Sequence, residues 1–97
     1  MGLPEVVWNA AGGEGDAQAV AAWLHEGGGV DARSSEEGDR TLLMAAALGG
    51  QEAIVRMLLQ RGASVNLRSS SGGGTALMYA AANGHTTIVQ ALLDAKA

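Results

Sequence analysis

Few side chains in this 97-residue chain could do chemistry, and their types and spacing argue against it. Acid–base work or metal binding would fall to His25 and His85, the only histidines. His25 stands late on a predicted helix, where an imidazole faces water or favours the negative end of the helix dipole, and His85 stands in a glycine turn. Glu36 and Glu37 are adjacent, so in an extended loop their carboxylates point apart and cannot face each other across a bond. Gly27-Gly28-Gly29 and Gly72-Gly73-Gly74 have the composition of phosphate-cradling loops. No Lys-Ser or Lys-Thr pair follows either, however, and neither opens a strand-to-helix turn. With no Cys, the chain has no thiolate nucleophile, thiolate zinc site or disulfide. This inventory predicts a chain that is not an enzyme and takes no cofactor or metal.

Charge narrows the partners. A net charge of −4 argues against nucleic acid, whose binding draws its affinity from neutralising phosphates with Lys and Arg. Residues 1–39 carry Glu5, Glu14, Asp16, Glu26, Asp31, Glu36, Glu37 and Asp39 against Arg33 alone, whereas residues 40–97 carry more bases than acids. That asymmetry points to a partner with a basic surface. No apolar run approaches the roughly 20 residues that span a bilayer, and the stretch from Met1 to Glu5 lacks the basic and apolar regions of a secretion signal. The absence of Cys fits a reducing compartment. The expectation is a cytoplasmic or nuclear chain with no membrane contact.

The elements that would position these residues come in copies. Thr41-Leu42-Leu43-Met44-Ala45-Ala46-Ala47 aligns with Thr75-Ala76-Leu77-Met78-Tyr79-Ala80-Ala81 at an offset of 34, which also carries Gly50 onto Gly84, Ile54-Val55 onto Ile88-Val89 and Leu58-Leu59 onto Leu92-Leu93. A fainter first copy appears at an offset of 35, with Gly15 on Gly50, Val20 on Val55, Trp23 on Leu58 and Gly27 on Gly62. Within a copy, Ile54, Val55, Leu58 and Leu59 lie on one helical face. Thr41 is placed to cap the first helix of its copy, which follows it, and Gly50 and Gly62 suit the left-handed conformation that ends a helix. Each copy therefore predicts a helix, a tight turn, a second helix and a glycine stop. Between copies, residues 30–39 and 65–74 are rich in turn formers and predict exposed, hairpin-like loops.

This pattern resembles the ankyrin repeat, which runs roughly Thr-Pro-Leu-His-x-Ala-Ala-x-x-Gly-His, then Val-Val-x-x-Leu-Leu, then Gly-Ala-x-Val-Asn. Residues 41–67 match nearly throughout, residues 75–95 match with Asn83-Gly84-His85 in the turn, and residues 6–32 match as a degenerate capping copy. The resemblance implies an all-α helix-turn-helix solenoid with hairpin-like loops between repeats. It forms a single domain over 1–97, with copies at about 4–37, 38–71 and 72–97. Leu42 and Ala76 replace the family's Pro. Met44 and Met78 replace its His, so hydrogen bonds between copies should give way there to apolar packing. Trp8 and Trp23 fall on the positions of Leu43 and Leu58, which makes each a core residue before a ligand platform. At Asp94-Ala95-Lys96-Ala97, Lys96 replaces the glycine stop, leaving either a self-capping last helix or an array cut from a longer one.

The resemblance also implies a function. Ankyrin-like arrays bind a protein or peptide through a concave side lined by the first helices and through the loop tips. The residues it places there are Arg33, Glu36, Glu37, Asp39, Arg40, Leu48, Arg68, Ser70, Tyr79 and Asn83, with Tyr79 at the variable outward position of its helix. The partner is then another protein or peptide, recognised by a monomeric chain without a cofactor. Two further readings stay open: a stoichiometric enzyme inhibitor of the kind that acts on kinases, and the targeting segment of a longer multidomain protein.

Overall fold

A computed structural model of the chain describes residues 3–34, 38–70 and 72–97. The first copy opens with Pro4, whose φ of −65° is preset for a helix start, and α1 runs Glu5–Ala11. Asp16 then caps α2, Ala17–His25, its Oδ1 accepting from the Ala19 N–H at 3.2 Å. Next comes a short antiparallel pair, β1 at Arg33–Ser34 and β2 at Arg40–Thr41, with Arg33 opposite Thr41 and Ser34 opposite Arg40. Thr41 ends the pair and caps α3, Leu42–Gly49: its hydroxyl accepts from the Met44 N–H, and the Met44 sulfur accepts from the Thr41 N–H. Gly50, at φ 73°, ends α3 and leads to α4, Glu52–Gln60. Thr75 repeats the cap on α5, Ala76–Ala82, and α6 runs Thr86–Asp94. Gly62 and Gly84 stop or turn the chain at φ 86° and 72°.

Among the described residues the architecture is thus helical apart from the one small hairpin. The first helices α1, α3 and α5 pack side by side as one layer, and α2, α4 and α6 form a second layer, each hairpin closing on itself. No helix is long and apolar enough to cross a membrane among these residues. The expected hairpin appears in the first loop. Among the described residues the second loop forms no ladder, but Ser69 and Gly74 close it through a 2.8 Å bond from the Ser69 N–H to the Gly74 carbonyl.

Packing follows position in the stack. Helix α3 has a neighbour of its own layer on each side, and every residue from Leu42 to Ala47 is buried. Met44 is accordingly buried, as expected of apolar packing in place of His. Met78 is not: 49% of it remains exposed, because among the described residues α5 has a first-layer neighbour, α3, on one side only. Trp23 is a core residue, whereas Trp8 is half-buried at the edge of the core.

At the turns between paired helices, two polar stitches bind copy to copy. The Gln51 amide donates to the Gly12 carbonyl at 2.9 Å, and the corresponding side chain one copy on, His85, brings Nε2 within 3.3 Å of the Leu48 carbonyl. The fit beside them is tight. A Cβ at Gly49 would stand 2.5 Å from the Gly12 carbonyl oxygen, so the end of α3 can reach the first copy only as glycine. Gly49→Ala should therefore lower stability by about 1–3 kcal/mol, and Gly13→Ala, with open space around it, should cost far less. Thermal denaturation of both variants measures the contrast, and equal melting temperatures would refute the close-approach argument.

Candidate functional site

The loop between the second and third copies is organised around a buried hydroxyl. Ser69 is 3% exposed; its Oγ accepts from the Gly74 N–H at 3.2 Å and lies 2.9 Å from the Tyr79 hydroxyl. Tyr79 sits in α5 with its ring against Gly74, where a Cβ would come within 2.8 Å of Cζ. From the neighbouring copy, Arg40 on β2 donates through Nε to the Tyr79 hydroxyl at 3.2 Å. Its guanidinium carbon also stands 5.0 Å from the ring centroid, a cation–π distance. Tyr79 is half-buried by these partners, and Asn83, one turn on, donates its side-chain amide to the Tyr79 carbonyl at 2.9 Å. Burial alone would push the phenol up, but the hydrogen bonds from Ser69 and Arg40, with the Arg40 charge, outweigh it and hold Tyr79 below its usual value.

A second group of contacts joins the two loops. Arg33 donates through Nη1 to the Asp39 carbonyl at 2.7 Å and to the Arg68 carbonyl at 2.8 Å, and stands 3.7 Å from the Asp39 carboxylate. The ion pair is partly exposed and by itself contributes at most about 1 kcal/mol. The main-chain bonds matter more: the one to Asp39 closes the first loop, and the one to Arg68 ties corresponding positions of adjacent copies. Arg68 in turn donates to the Gly73 carbonyl at 3.0 Å, and Ser70 donates through both N–H and hydroxyl to the Gly38 carbonyl. Asp39 adopts φ 60°, a conformation that Asp tolerates better than most residues.

The order is that of a repeat array: paired helices, first helices in one layer, second helices in another, loops leaving from one edge. The family model for ankyrin repeats, in three copies, matches residues 7–97. The chain belongs to the ankyrin-repeat family. Comparison with curated proteins gives no match. Ankyrin repeats are generally protein–protein interaction modules, and the family is typically non-catalytic. Among the described residues no three His, Cys, Asp or Glu side chains gather where they could hold a metal ion.

Of the residues that the ankyrin pattern suggests for binding, Arg33, Asp39, Arg40, Arg68, Ser70 and Tyr79 are brought onto one loop edge by these contacts, whereas Asn83 stands at the C-terminal end of α5, away from the loops, and meets Tyr79 only through the bond along the helix. Leu48 stands apart. It is exposed and lines a shallow apolar hollow of about 240 Å³ with Trp8, Ala45 and Gly49. Glu36 and Glu37 lie outside the described residues. Ser69 is the member that the pattern did not suggest. Its signal is the pair Arg68-Ser69, which repeats Arg33-Ser34 at an offset of 35, and Ser34 is buried as well.

Tyr79 is the chain's one tyrosine, so tyrosinate absorbance reports on it alone. Its titration midpoint should fall below 10.0 and rise in Arg40→Ala and Ser69→Ala. An acid whose pKa is lower folded than unfolded adds stability as pH rises from the folded value toward 10.0, and that stability is lost as pH falls through the folded value. A midpoint at or above 10.0 in the unsubstituted chain would contradict the described latch.

Proposed function

We propose that the chain, taken as one domain over residues 1–97, is a monomeric, non-catalytic module that binds a protein or peptide. Contact is made by the concave side lined by α1, α3 and α5 and by the loop tips beside it. The observation that carries this reading is the latch of Arg40, Tyr79 and Ser69. It holds an amphipathic aromatic ring and a guanidinium at a fixed place between two copies. Tyr and Arg dominate interface energetics when a partner desolvates them, and side chains already held lose little entropy on binding. The surplus of acids in residues 1–39 favours a partner that brings basic groups to the first copy. Action in the cytoplasm or nucleus is part of the proposal and rests on the absence of Cys.

The test is affinity for a partner captured from the source cell, compared between the unsubstituted chain and Tyr79→Ala combined with Arg40→Ala. A loss of about 2 kcal/mol or more, roughly thirtyfold in Kd, is expected. Unchanged affinity with the helical circular dichroism intact would remove the loop edge and concave side from the binding surface.

A further inference from the structure

At the C-terminal end of α2 lies a cavity of about 380 Å³ lined by Trp23, Glu26 and Gly27-Gly28-Gly29. Its lining differs from the corresponding residues of the second copy. One copy on, the corresponding residues are Leu58, Arg61 and Gly62-Ala63-Ser64, so the wall there carries side chains and the charge is reversed. Two of the glycines have local reasons. Gly28 lies against the indole, which any Cβ would strike, and Gly27 has φ 102°. Gly29 has neither: its nearest neighbour to an added Cβ is 3.9 Å away, and its effect is to leave the cavity open.

What remains is the small accessible part of the Trp23 indole with glycine backbone as a wall, the exposed side chain of Glu26, and the C-terminal, negative end of the α2 dipole. Basic side chains have the matching build, a methylene stem that packs on apolar surface and a cationic head that stays at its rim. We infer that this cavity is a binding site for one arginine or lysine side chain of a partner, its stem against Trp23 and its head paired with the Glu26 carboxylate. The volume lies at the small end of ligand pockets and suits a single side chain. The acid-rich composition of residues 1–39 supplies attraction of the same sign at longer range. The site rests on the reading of the chain as a protein-binding module only for its biological occupant, and its chemistry can be tested without one.

The probes are N-acetyl-arginine amide and N-acetyl-lysine amide, with the citrulline and norleucine analogues as uncharged counterparts, titrated into the whole chain while the two indole N–H resonances are followed by NMR. Trp8 serves as internal reference. The expected result is a saturable shift of the Trp23 resonance by a cationic probe, with Kd of roughly millimolar order, little shift of Trp8, and no saturation with the uncharged analogues. Which cation saturates at lower concentration tells arginine from lysine. Glu26→Gln, which keeps the shape, should weaken binding about two- to fivefold, and Gly29→Leu should abolish it by filling the cavity. No saturable Trp23 shift, equal response to citrulline and arginine, or unchanged affinity in Glu26→Gln would each overturn the assignment. None of those results touches the Tyr79 and Arg40 test, so failure of this site and failure of the protein-binding reading remain distinguishable.

Discussion

Backbone meets backbone where Gly12 faces Gly49, and the stack is possible because the first helices can come this near. Their facing surfaces are built from alanine and glycine: Ala10, Ala11, Ala45, Ala46, Ala47 and Ala80 are all buried. Small side chains contribute little area each. The gain comes from excluding water along whole helices and from placing Leu42, Leu43, Ile54, Leu58, Ile88 and Leu92 in the layer between them. Burial is therefore a property of neighbours. The middle copy is covered from both sides, while Val6 and Met78 on the flanking first helices stay exposed.

The same stacking builds the loop edge. Because each loop leaves its copy at the same place, a side chain reaching sideways meets a polar group of the neighbouring copy. Arg33 thus meets the Arg68 carbonyl, Ser70 meets the Gly38 carbonyl, and Arg40 meets the Tyr79 hydroxyl. These bonds cost little to form once the helices are packed, and they remove the freedom that long polar side chains would otherwise lose at an interface. The contacts between these loops are a by-product of helix spacing.

Much of the fold was legible in residue order. Thr41 and Thr75 announce helix starts, and the described caps at Met44 and Met78 follow from them. Gly50, Gly62 and Gly84 announce left-handed turns, and the offset of 34 announces the array. The candidate site was less legible. Tyr79 and Arg40 stand out by type, but the hydroxyl that joins them, on Ser69, sits in a glycine-rich stretch with the composition of a linker. Met44 and Met78 occupy the same place in the pattern, and one is buried while the other is half exposed.

Sequence by itself determined the features decided within a few residues: caps, turns, helical faces, the period of the repeat, and an ionisable inventory without cysteine. Those depend on hydrogen bonds and dihedral preferences spanning about one helical turn. Only the tertiary structure decided what lies between copies. The Ser69 and Tyr79 contact spans 10 positions and the Arg40 and Tyr79 contact spans 39. The cavity beside Trp23 exists because the residues that line its counterpart one copy on, Ala63 and Ser64, have no equivalent side chains at Gly28 and Gly29. No local pattern encodes such neighbours, because they are set by which helix packs against which and how closely.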